Sequence, residues 1–209
     1  MKGNIKKLAV LVIIPVLALF IMAAMVSAGG QVQYTIQGTF AFTGSNTDNV
    51  APFGFNSSLQ ANPPPGSPPG TPGVWATVFE TWEGSYMFYP NGTGEVNNIS
   101  HIFGVIPGAG GSLSIYWKFK YTVTDNGKIT FTLVPNTYKS LWLTGPLTGT
   151  ASYANVQGSW DGAVSPDGKT IIVTWGAPLI FYFTDSSYIP TGAQLIPLGT
   201  FVLIRQQAE

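Results

Sequence analysis

The sequence predicts an all-β fold: an antiparallel meander of about eight to ten strands closing into a barrel, with a β-sandwich as the alternative, preceded by a signal-peptide helix. Three observations carry this. Segments of alternating apolar and polar residues recur along the chain, and turn signals separate them at short intervals. No amphipathic helical pattern follows the apolar N-terminal run.

That run decides the expected location. Lys2, Lys6 and Lys7 precede an apolar stretch from Leu8 to Val26, broken by Pro15, and Val26-Ser27-Ala28 then leads into Gly29 and Gly30. Positive, apolar and small residues in that order read as a secretory signal over 1–28, cleaved after Ala28. The apolar stretch is about 19 residues, so an uncleaved anchor is the alternative. Residues 29–209 then form a single barrel domain, secreted or periplasmic. Without the three signal lysines the chain carries six basic against nine acidic residues. That balance excludes a nucleic-acid binder, which needs excess positive charge. Cysteine is absent, which removes disulfides, thiol catalysis and cysteine-based zinc sites. Charged residues make up only 9% of the chain, leaving little material for acid–base chemistry.

The strands follow in order. From Gln31 to Thr43, Val32, Tyr34, Ile36, Phe40 and Phe42 share one face. The stretch 44–73 reads as irregular, because its second half is Asn62-Pro63-Pro64-Pro65-Gly66-Ser67-Pro68-Pro69-Gly70-Thr71-Pro72-Gly73. Proline cannot donate to a ladder. The Pro-rich half is expected to be mobile and exposed, and Phe53, Phe55 and Leu59 to pack as a partial lid at one barrel end. Strands resume at 75–82, 84–89 and 95–106. From Ser112 to Thr124, Leu113, Ile115, Trp117, Phe119, Tyr121 and Val123 alternate with polar residues, and Asn126-Gly127 then marks a hairpin. Segments 147–155 and 156–164 lead to a second turn at Asp167-Gly168, and strands near 169–176, 178–184 and 198–205 finish the chain. The last of these are apolar on both faces, which implies cover on both sides. A homo-oligomer through 171–183 and 201–204 is one such cover.

Few residues offer chemistry. His101 is the single histidine and shares a strand face with Ile99, Phe103 and Val105, which reads as a hydrogen-bonded core residue. Glu80 shares a face with Trp82 and Val78 and is expected to point inward, where a carboxylate beside aromatics would hold a polar ligand group. A carboxylate at the barrel rim is the plainer reading. Asp161, Asp167 and Asp185 match no calcium loop, and Asp-Gly pairs serve turns. Asn56, Asn91 and Asn98 each open an N-x-Ser/Thr sequon. No catalytic residue, metal site or cofactor is assigned. The candidate ligand-binding residues are Glu80, Trp82, His101, Trp117, Phe119 and Tyr121.

The segment Tyr34-Thr35-Ile36-Gln37-Gly38-Thr39-Phe40, the Pro-rich loop, Asn91-Gly92-Thr93-Gly94 and the closing Val202-Leu203-Ile204-Arg205 resemble a group of exported bacterial β-barrel proteins. The large first loop and the arginine of the last strand also resemble the calycins, the lipocalin- and avidin-like barrels. The Gly-x-Trp letters of that family occur here at Gly73-Val74-Trp75 and Gly158-Ser159-Trp160, away from the first strand. That resemblance implies a barrel binding a small apolar or amphipathic ligand, with Arg205 in the part of the closing arginine. The functional expectation is therefore an exported, non-enzymatic barrel with such a ligand, and with no membrane contact once the signal is removed. The rivals are a surface or periplasmic interaction module, an enzyme built on His101 and Glu80, and an outer-membrane barrel.

Overall fold

The structure is a computed structural model that describes residues 34, 36–104, 110–176, 179–186 and 189–207. The signal assignment over 1–28 lies outside the described residues, as do 31–33 of the first expected strand. Eleven strands run β1 (Gly38–Ala51), β2 (Ala76–Phe88), β3 (Thr93–Gly104), β4 (Gly111–Val123), β5 (Lys128–Leu133), β6 (Tyr138–Trp142), β7 (Ala151–Gln157), β8 (Trp160–Val164), β9 (Thr170–Trp175), β10 (Ile180–Ser186) and β11 (Gln194–Arg205). All belong to one antiparallel sheet, which β1 and β11 close over twelve paired residues, from Phe40 opposite Arg205 to Ala51 opposite Gln194.

The closed sheet is an eight-staved meander barrel in which three neighbouring staves are creased at mid-height. β1–β4 and β11 run the full height. β4 pairs with β5 low on the barrel and with β6 high on it. β5 pairs with β8 and β8 with β9 below, while β6 pairs with β7 and β7 with β10 above. Thus β5–β6, β7–β8 and β9–β10 are single staves interrupted at Val134–Thr137, at Gly158-Ser159 and after Trp175. The first crease follows from sequence: Pro135 gives no ladder donor, and Asn136 adopts a left-handed φ of 60°. Interruptions of this kind bend a strand and let the wall curve.

Tight turns close the lower end. Asn126-Gly127 joins β4 to β5 with Gly127 at φ 78°, and Asp167-Gly168 joins β8 to β9. The upper end carries the longer connections at 52–75, 143–150 and after β10.

The lower interior is an aromatic plug. Phe40, Phe42, Tyr86, Phe88, Trp117, Phe119, Phe131, Trp160, Trp175 and Phe201 are all buried there. Tyr86 lies 5.2 Å from Phe42 and 5.5 Å from Phe119 between ring centroids, and Trp175 lies 4.5 Å from Trp82 in a T-shaped pair. These separations suit the quadrupoles of the rings. Glycines make the room: a Cβ on Gly44 would sit 2.6 Å from that of Phe201, and one on Gly94 would sit 2.3 Å from the Phe119 ring. At the lower rim the Arg205 guanidinium covers Phe40, 5.3 Å from its centroid.

Several expectations are corrected. β1 continues to Ala51, so the long connection starts at 52 rather than 44. The alternation there is hidden because the inward positions turn polar, with Asn46 and Asp48 taking the places of aromatics. Phe53 and Leu59 remain exposed. Beyond Pro52 the loop does not cap the barrel mouth. It leans on the outer wall, where Phe55 and Leu59 line an open cleft with Asn49, Trp75 and Ile196. Ile196, an outward residue of β11, is buried by this contact. The Phe55 amide donates to Gln194 Oε1 at 2.8 Å, and Asn62 Nδ2 donates to the Phe53 carbonyl at 3.1 Å. The final strands are covered on both sides only in their upper part, where Ile180 and Ile196 are buried; lower on β11, Val202 and Ile204 face outward at 38% and 57% exposure.

Candidate functional site

The upper interior is hollow. A cavity of about 350 Å³ opens at the upper end above the aromatic plug. Val78 and Glu80 of β2, Ile102 of β3, Leu113 and Ile115 of β4 and Tyr138, Ser140 and Trp142 of β6 line it. Phe183 closes the far side, and Pro52, Leu147, Ile189 and Pro190 stand at the mouth. Asp48 and Val50 complete the wall on β1. The size falls within the range of small-molecule pockets, about 300–1,000 Å³, and the mix of apolar lining with a few convergent polar groups suits an amphipathic guest.

Two carboxyl groups define its polar side. Asp48 and Glu80 project inward from paired strands, are nearly fully buried, and are hydrogen-bonded to each other. Asn46 Nδ2 donates to Asp48 Oδ1 at 2.6 Å. The Trp82 indole N–H donates to Glu80 Oε2. Burial pushes the Asp48 carboxyl well above its ordinary range, and the neighbouring Glu80 charge pushes it further. Burial raises Glu80 too, while hydrogen bonds from Asp48 and Trp82 hold it back. Two adjacent carboxylates in a dry wall cannot both ionise cheaply. The pair therefore favours a proton shared between the two carboxyl groups.

Further polar groups lie on the same inner surface. Ser140 and Ser152 share a hydrogen bond at 2.6 Å between hydroxyl oxygens. Below Ile102, the inner face of β3 carries Ser100 and Asn98, both buried. Neither the amide nitrogen nor the amide oxygen of Asn98 has a hydrogen-bond partner among the described residues.

The residues singled out from sequence are scattered by the fold. Glu80 lines the cavity, and Trp82 supports it from one position below. Trp117 and Phe119 lie in the plug, fully enclosed. Tyr121 is at the lower end, its hydroxyl 2.8 Å from the carbonyls of both Ile36 and Tyr89. His101 is not a core residue. It faces outward with its side chain 42% exposed, 3.0 Å from Ser112 Oγ and 3.8 Å from Glu83 Oε1. β3 presents its apolar residues Ile99 and Phe103 to the outside and its polar residues Asn98 and Ser100 to the inside, the reverse of the expectation. The same orientation removes Asn98 as a glycan acceptor in the folded barrel. Asp161 pairs with Lys128 at 2.8 Å on the outer face, Asp167 serves its turn through Ser165 and Lys169, and Asp185 is exposed elsewhere. Asp48 escaped the sequence reading because it fell in the stretch taken for a loop. The signal that would have found it is a two-residue period running on through Gly44, Asn46, Asp48 and Val50.

No family model matches the chain, and no curated protein matches it. Among solved structures it is similar to the crystal structure of Neisserial surface protein A (NspA), with 11% identity, 81% of this chain and 97% of that chain covered, and a TM-score of 0.49. So remote a likeness carries no functional argument. The class that fold and site define is an eight-staved β-barrel, solid below and cupped above.

Proposed function

We propose that this protein is an exported binding barrel that takes a small amphipathic molecule into its upper cavity. The observation that carries the reading is the cavity of about 350 Å³, apolar on most of its wall and bearing the Asp48–Glu80 pair on one side. An eight-stranded barrel has an interior wide enough for side chains or for one small ligand, and this one divides its height between the two uses. The outer faces of β1 and β4 support a barrel bathed in water. Thr39, Thr43, Ser45 and Thr47 on β1 and Ser112, Ser114, Lys118 and Lys120 on β4 point outward, where a lipid-facing wall would be apolar. The test uses a neutral apolar fluorophore, N-phenyl-1-naphthylamine, titrated into the protein. Bright, saturable emission is expected, with at least a tenfold loss of affinity in Ile102→Trp, which fills the cavity, and no loss of melting temperature. A parent protein that leaves the dye dark would end the reading.

A second reading, self-association, rests on the outward strip of Ile172, Val202 and Ile204, with Ala41 and Ala163 beside it in register. Sedimentation of the parent and of Ile204→Lys distinguishes it: a parent that remains monomeric at high concentration removes this alternative.

A further inference from the structure

We propose that the ligand of the upper cavity is an amphipathic organic cation, with its ammonium group seated between Asp48 and Glu80 and its apolar part against Val78, Ile102 and Leu113. This deepens the binding reading above and rests on it.

The argument begins with what the pair lacks. Two carboxyl groups sit in the wall of a cavity, and among the described residues no lysine, arginine or histidine faces them. The His101–Glu83 contact and the Lys128–Asp161 ion pair both lie on the outer face. The groups opposite the pair are Ile102 and Ser100 on β3, Leu113 and Ile115 on β4, Tyr138 and Ser140 on β6, Phe183 on β10 and Leu195 on β11. Of these only the Tyr138 phenol titrates, and it carries no positive charge. Buried carboxyls are ordinarily matched by a cation or metal. Here the space for one is part of the cavity.

A second, independent feature points the same way. Asn98, 4% exposed, lies on the inner face of β3 below Ile102 and opposite the cavity-lining Ile115, and both amide atoms lack partners among the described residues. Orphaned buried polar atoms are rare in folded proteins, and they mark places where a ligand or water completes the network. The aromatic walls of Trp142, Tyr138 and Phe183 add faces that attract cations.

In the empty cavity the shared proton holds the pair at a single negative charge. A cation does the same work from outside. Binding therefore breaks the pair's one carboxyl O–H bond, sends that proton to the solvent, and leaves both carboxylates ionised around the ammonium group. The balance is one cation in and up to one proton out.

The experiment compares n-hexylammonium with n-hexanol, equal in chain length and different in charge, by isothermal titration at neutral pH in two buffers of unlike ionisation heat. The expected result is at least tenfold tighter binding of hexylammonium, with an apparent heat that differs between buffers in proportion to released proton. In the doubly substituted Asp48→Asn/Glu80→Gln protein the preference should vanish, the affinity ratio of hexylammonium to hexanol falling to about one. If hexanol and hexylammonium bind the parent equally, the cation proposal is overturned and the binding barrel stands. If neither binds at millimolar concentration, both fall. Should the double variant fail to fold, the affinity ratio and buffer dependence in the parent decide alone.

Discussion

The lower and upper halves of this barrel share the same five full-height strands, yet they fill their interiors in opposite ways. On β1 the inward positions read Phe40 and Phe42 below, then Asn46 and Asp48 above. On β2 they read Phe88, Tyr86 and Trp82 below, then Glu80 and Val78 above. The change from rings to short polar groups occurs at about the level where the other three staves are creased. Below it, interlocked rings leave no room; above it, smaller side chains leave about 350 Å³. The difference teaches that one sheet can divide a packed core and an open cavity by height. The plug supplies the apolar burial that a disulfide-free barrel depends on, which frees the upper wall to carry two buried carboxyls that oppose folding.

Substitutions should separate the halves. The largest effect is expected in the plug. Phe119→Ala, at a fully enclosed ring, should destabilise by about 3–5 kcal/mol, the usual cost of a large core deletion. Ile102→Ala at the cavity wall should cost clearly less, because its side chain is only partly buried and adjoins open space. Denaturant unfolding of both variants tests this, and equal losses would erase the distinction.

The next effect has the opposite sign. Asp48→Asn/Glu80→Gln removes buried ionisation, and each unit by which burial raises a carboxyl is worth about 1.4 kcal/mol. Stabilisation above about 1 kcal/mol at pH 8 is therefore expected, with little change at pH 4. The sign follows from proton counting. From the ordinary carboxylate range up to the raised native values, the folded barrel holds more protons than the unfolded chain, so stability falls as pH rises. Melting curves from pH 4 to 9 should show the parent declining relative to the variant. Parallel curves would mean that the pair does not share its proton as described.

Smaller again is Tyr86→Phe. Its hydroxyl is buried in the plug without a partner among the described residues, and burial raises its ionisation well above the usual phenol range. Removing an unsatisfied hydroxyl should stabilise by roughly 1 kcal/mol. A loss of stability would show that the hydroxyl has a hydrogen-bond partner after all. The smallest effect belongs to the outer face, where Lys128→Ala breaks the exposed pair with Asp161. A loss of about 0.5 kcal/mol or less is expected, shrinking in high salt. Together the series ranks plug, cup and surface.

Strand existence was largely readable from sequence, as were the Asn126-Gly127 and Asp167-Gly168 turns and the closure of a meander into a barrel. Local alternation and turn chemistry act within a few residues, so a linear pattern records them. The inward direction of Glu80 could be inferred in the same way, because Val78 and Trp82 flank it on one face. Asp48 was missed for an equally local reason: polar inward residues imitate a loop.

What the sequence determined by itself is an all-β meander, free of disulfides, with long apolar faces that demand closure. Only the tertiary structure decided which face of each strand is inside. Period two defines two faces but does not label them. On β3 the labels reversed expectation: pairing with β2 and β4 aligns Val96 with Tyr86 and Trp117, which commits Asn98 and Ser100 to the interior and His101 to the outside. Facing is fixed by hydrogen-bond register across the closed ring, and register depends on strands far apart in the chain. For the same reason the cavity, the Asp48–Glu80 pairing and the outward lean of the Pro-rich loop appear only once β1 and β11 meet.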